Sequence, residues 1–183
     1  MAVCESDIKS SSLHNDPGRG RGELDWGKVP QLLLSIAQRI QINTHAEEHI
    51  SKFDMISNLR QVQPGKTFIF QWDGVNDHLA YAAKDFVNTE VLFDSSHGAG
   101  VLSKLWPKSK SAFECGYAGG LSPENVLEEN EKIAKAADGI AYWIDMEGKV
   151  RSDNGKILDL DKVRTVLKLM KPFAMPWLKT ELV

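Results

Sequence analysis

Five short apolar runs, each followed by a stretch whose apolar residues recur at helical spacing, leave this chain few folds to choose from. The runs are RIQIN (39–43), KTFIFQW (66–72), EVLFD (90–94), AFECGYAGGL (112–121) and IAYWIDM (140–146). They are rich in β-branched and aromatic side chains, and the central run of 66–72 is apolar on both faces. The intervening stretches carry single apolar stripes. Ile50, Phe53, Ile56 and Leu59 line one within 46–62, and Leu160, Val163, Val166 and Met170 line another within 158–170. Further helices are predicted over 24–38, 76–86 and from Ser122 to about Ala137. Short, doubly buried strands alternating with helices form a parallel sheet with helical crossovers, an α/β fold. The same spacing predicts a short helix at VLSKLW (101–106), stopped by Pro107, and a long polar loop at 147–156. Residues 1–22 are polar and Gly/Ser-rich, a poorly structured leading segment of what reads as a single domain over 1–183.

Composition narrows the function classes. The formal net charge is −3, with no excess of Lys and Arg, which gives no reason to expect a nucleic-acid partner. No apolar run reaches the roughly 18–20 residues that span a bilayer, and the first residues lack an apolar signal core. A cytoplasmic protein with no membrane partner is therefore expected. Cys4 and Cys115 are too few for a disulfide framework and read as reduced thiols. His45 and His49 sit four apart in HAEEH, but the glutamate spacing is wrong for a zinc helix and a third ligand is lacking, so no metal is expected.

In parallel α/β folds, ligands bind where the strands end. All five ends are polar or glycine-bearing, and they offer Asn43, Gln71 with Asp73, Asp94, Gly119 with Gly120, and Asp145 with Glu147. Gly119 and Gly120 would let backbone approach a ligand closely. Ser122-Pro123-Glu124 follows as a helix start signal, whose free N–H groups favour an anion. A tight turn needing glycine only for its φ angles is the alternative. Asp94, before a glycine loop, can act as a general acid or base, or brace that loop. His97 reads as a loop residue. Asp145 and Glu147 alternate onto one side of their strand, where they could share a site or pair with Arg151 or Lys149.

These segments resemble the phosphoribosylanthranilate isomerase family. AGGLSPENV (118–126) is similar to that family's seventh-strand AGGL-x-PENV segment, and RIQIN-TH (39–45) to its fourth strand. VLFDSSHGAGVLSKLW (91–106) resembles the sixth strand with its glycine loop and Trp, and 144–163 resembles the eighth. The resemblance spans about residues 39–170. It implies a (β/α)8 barrel, here incomplete, with five clear βα units. It also implies a cofactor-free Amadori rearrangement of N-(5-phosphoribosyl)anthranilate in tryptophan synthesis. The family's general acid maps onto Asp94, and its phosphate contacts onto Gly119 and Gly120. The family's base lies in a Lys-Ile-Cys-Gly segment that this sequence does not contain. Cys4 stands 35 residues before Arg39, too near the fourth-strand match for that role. Met146 to Val150 replaces the eighth-strand phosphate loop. An open sheet would leave edges for self-association. Two other readings stay open: a non-catalytic module that binds a phosphorylated metabolite, and a fragment that pairs with a partner chain.

Overall fold

The computed structural model describes residues 7–8, 36–42, 65–72, 77–94, 96 and 99–174. It has an α/β fold of parallel strands alternating with helices, in two compact units, one within Cys4–Leu92 and one within Phe93–Val183. The helices expected over 24–38 and 46–62 fall almost wholly outside the described residues.

In the first unit the strands are β1 (Asp7–Ile8), β2 (Arg39–Ile42), β3 (Thr67–Trp72) and β4 (Asn88–Phe93), side by side in chain order, the last residue of β4 belonging to the second unit. β1 pairs parallel with β2, and β2 parallel with β3 in the register Ile40↔Phe68 and Ile42↔Phe70. Consecutive residues Phe68, Ile69, Phe70 and Gln71 are all buried, as are the last four residues of β4. Burial on both faces is why these strands read as unbroken apolar runs. Helix α1 (Asp77–Ala83) buries Leu79, Ala80 and Ala83 on one stripe and carries Asp77 in its first turn, where the helix dipole favours a carboxylate. Trp72 and Tyr81 meet edge to face, with ring centroids 5.6 Å apart.

Among the described residues of the first unit, a largely buried ion pair runs from Arg39 in β2 to Glu90 in β4. Glu90 is 8 % exposed. Removing the cation takes this partner from a carboxylate inside the sheet, so Arg39→Met is expected to lower unfolding free energy by about 3 kcal/mol, the lower end for breaking a buried pair. Urea denaturation checks this, and a loss under about 1 kcal/mol would count against it.

In the second unit β5 (Glu114–Tyr117) pairs parallel with β6 (Tyr142–Ile144), Gly116 opposite Trp143. A β-carbon on Gly116 would lie 2.5 Å from Cε2 of Trp143, so the indole rests on bare backbone. Helix α2 (Val126–Ala137) makes the crossover and buries Val126, Glu129, Asn130, Ile133 and Ala137. Its two buried polar residues are satisfied. Trp106 Nε1 donates to Glu129 Oε2 at 2.8 Å, and Tyr142 donates to Asn130 Oδ1 at 2.8 Å. Asp138 (φ 51°) and Gly139 (φ 81°) end the helix in left-handed conformations, as the Asp-Gly pair predicts. Tyr117 joins these pieces. Its ring touches those of Phe93, Trp106 and Tyr142, and its hydroxyl meets Pro107 O and Ser109 Oγ, both at 3.0 Å. Burial pushes the Tyr117 hydroxyl above its ordinary pKa.

Two local expectations are corrected here. Residues 101–106 form no helix. Trp106 is buried and tied to Glu129, and Pro107 offers its carbonyl to Tyr117, so tertiary contacts hold the segment out of a helix. The loop at 147–156 contains a short 3-10 turn (Gly148–Val150) and a small antiparallel hairpin. In the hairpin, β7 (Arg151–Ser152) and β8 (Ile157–Leu158) are joined through Asp153, Asn154 and Gly155, all at positive φ. An Asp-Asn-Gly run suits such a turn.

Helix α3 (Leu160–Met170) follows, and Val166 packs with Val126 and Val150, supported by Ile144, Met146 and Val163. Asp159 caps α3, accepting from the N–H groups of Asp161 and Lys162, both at 3.1 Å. These bonds, that from Lys162 foremost, hold its carboxyl below the ordinary aspartate range. A depressed folded pKa means the cap stabilises above the unfolded value of about 3.9 and fades as pH falls through the folded one. Asp159→Ala is therefore expected to lower Tm by about 2–4 °C at pH 7, with the gap to wild type closing in acid. Parallel melts at pH 7 and pH 2.5 check this, and a gap that widens in acid would contradict it.

Candidate functional site

The site is built where β4 and β5 end, inside the second unit. Phe93 is the last residue of β4, and its carbonyl accepts from Ala118 N–H at 2.9 Å, which aligns the two strand ends. Asp94 comes next and is buried. Its Oδ1 accepts from Ser96 N at 3.0 Å and from Ser96 Oγ at 2.7 Å, a side-chain turn that Asp-Ser-Ser readily makes. After β5 the chain takes two left-handed residues in succession, Gly119 (φ 111°) and Gly120 (φ 65°), where only glycine is unstrained.

Both glycines lie against other backbone or polar atoms. A β-carbon on Gly119 would sit 3.2 Å from Val101 O, 3.5 Å from Asp94 Oδ1 and 3.6 Å from Ser96 Oγ. One on Gly120 would sit 2.6 Å from Leu102 Cα and 2.8 Å from Val101 C. Asp94, Gly119 and Gly120, three of the residues the sequence singles out, therefore come together. Ser96, Val101 and Leu102 join them. Ser96 was legible in the Asp-x-Ser pattern, whereas the approach of Val101 and Leu102 has no local signal.

The glycine turn does not feed straight into a helix, which corrects the expected start at Pro123. Ser122 to Asn125 forms an intervening turn, and α2 begins at Val126 with Asn125 as its N-cap. Ser122 N donates to Asn125 Oδ1 at 2.8 Å, and Asn125 Nδ2 donates to Gly120 O at 3.0 Å. Val126 N donates to Ser122 O at 3.0 Å. Ser-Pro-Glu suits a turn as well as a helix start, and the Asn125 side chain decides between them by bonding back to Ser122 and Gly120. The N–H groups of Ser122 and Val126 are thus used inside the turn. The Ser122 hydroxyl, with Glu124's own N–H, holds the exposed Glu124 carboxyl below its ordinary pKa.

The other strand-end candidates fall elsewhere. Gln71 is buried in β3 of the first unit. Asp145 follows β6 and donates its N–H to Tyr117 O at 3.0 Å. Glu147 is exposed and pairs with Arg151 at 3.7 Å. Asn43, Asp73, His45, His49, His97 and Cys4 lie outside the described residues. Cys115 is a buried thiol whose sulfur accepts from Lys110 N–H at 3.3 Å. Among the described residues no helix is long and apolar enough to cross a membrane, and no group of three or more His, Cys, Asp or Glu could hold a metal ion.

No family model, curated protein or solved structure matches this chain.

Proposed function

We propose that this chain is a module of the phosphoribosylanthranilate isomerase type, an incomplete (β/α)8 barrel that takes a phosphorylated sugar at the ends of β4 and β5. Asp94 is the general acid that protonates the ribose ring oxygen, and the backbone of Gly119 and Gly120 meets the phosphate. The observation that supports this most is the convergence of residues from two strand ends, with Asp94 Oδ1 3.5 Å from the β-carbon position of Gly119. No residue of this sequence is assigned as the base.

A second reading, binding without turnover, draws on a specific feature of the same site. Asp94 Oδ1 already accepts two hydrogen bonds from Ser96, as a loop brace would. Incubation with N-(5-phosphoribosyl)anthranilate separates the two. Formation of the rearranged ketose product supports the isomerase, whereas saturable binding with no product supports the binding module. Neither binding nor product would remove both.

A further inference from the structure

Resting on the site proposed above, the geometry points to its regulation by the chain's own loop. We infer that Gly100–Leu105 is a strap that fills the space before Gly120 when no ligand is bound, and that it swings away on Gly100 as a phosphorylated sugar enters. The contact between strap and site is made by backbone, since Val101 C and Leu102 Cα occupy the space a Gly120 side chain would take. A ligand that reaches Gly120 from that side must displace them.

The strap has a fixed base and, at its other end, a glycine. At its base Trp106 is 6 % exposed, hydrogen-bonded to Glu129 and edge-on to Tyr117, while Pro107 accepts from the Tyr117 hydroxyl. At its other end Gly100 takes φ 66°, and a β-carbon there would meet nothing within 4 Å. Between them the side chains of Val101, Leu102 and Leu105 are exposed, Leu105 by 82 %. The strap is therefore seated through its backbone on Gly119 and Gly120, and its apolar side chains add little burial that opening would forfeit. Such a segment belongs to the low-stability end of a fold.

A strap that competes with ligand makes an unusual prediction, because straining its closed form should strengthen binding. Gly100→Ala places a side chain at a left-handed φ in open space, which penalises only the closed backbone. Ribose 5-phosphate is expected to bind Gly100→Ala about 5–30-fold more tightly than wild type, since apparent affinity rises with the population of the competent state. Hydrogen exchange on the wild-type chain supplies an independent reading. Saturating ribose 5-phosphate should raise exchange of the amides of residues 101–105, the opposite of what a ligand does to a loop that closes over it. Binding that is unchanged or weaker in Gly100→Ala, or exchange in 101–105 that falls on binding, would overturn the strap and leave the site standing. Absence of binding in both proteins would remove the site and the strap with it. Should Gly100→Ala fail to fold, the exchange measurement on wild type decides alone.

Discussion

On the proposed isomerase reading, Asp94→Asn is expected to lower kcat for N-(5-phosphoribosyl)anthranilate by about 10²–10⁴-fold, the usual worth of one acid–base group, with little change in stability. The structure explains why one substitution can separate these effects. Ser96 bonds to Asp94 through Oδ1 by its backbone N–H and by its hydroxyl. An asparagine Oδ1 accepts both bonds as a carboxylate does, but an amide cannot deliver the proton that a carboxylic acid delivers to a ring oxygen. The loop brace survives and the acid does not. Asp94→Ala removes both, and should add a loss of about 1–3 kcal/mol, the cost of taking the acceptor from the half-buried Ser96 donors. Turnover and urea denaturation on the same three proteins decide the matter. A fully active, fully stable Asp94→Asn protein would refute the acid role, and an equally stable Asp94→Ala protein would refute the brace.

The largest expected stability effect at the site belongs to Gly120→Ala. Its φ of 65° costs any L-residue about 1–2 kcal/mol, and the new β-carbon would strike the backbone of Val101 and Leu102. Backbone cannot rotate aside as a flexible side chain can, so the strap must shift. A total loss of about 2–4 kcal/mol is expected, since overpacking adds to the strain. Gly100→Ala is the control, because it has nearly the same φ and no such neighbours. It should lose only the conformational part, about 1–2 kcal/mol. Equal losses in the two variants would show that the contact with Leu102 contributes nothing to folding.

Much of the fold was legible in the sequence, for an identifiable reason. A parallel strand covered on both faces must be apolar at successive positions, so Phe68 to Phe70 and Val91 to Phe93 stand out without any question of register. The ends of α2 show both outcomes. Asp138-Gly139 marks its close correctly, because few other conformations suit that pair. Its start was misplaced, because Ser122-Pro123-Glu124 serves a turn as well as a helix and the Asn125 side chain selects the turn. VLSKLW failed for a different reason. Its apolar spacing is helical, but burying Trp106 against Tyr117 and Glu129 outweighs a helix of barely more than one turn.

The site was half legible on the same grounds. Asp94, Gly119 and Gly120 announced themselves through strand ends and glycine φ requirements, whereas Ser96 was not singled out, although its spacing from Asp94 suits a side-chain turn. That the backbone of Val101 and Leu102 fills the face of Gly120 depends on how two loops meet in space, and no periodicity encodes it.

The central claim, a phosphorylated-sugar site at Asp94, Gly119 and Gly120, is tested most directly by calorimetric titration with ribose 5-phosphate. Ribose and inorganic phosphate run alongside as partial ligands. A saturable one-to-one heat with ribose 5-phosphate is expected, with weaker binding of either part alone and loss of the heat in Gly120→Val. No saturable heat at millimolar ligand, or an isotherm unchanged in Gly120→Val, would contradict the claim.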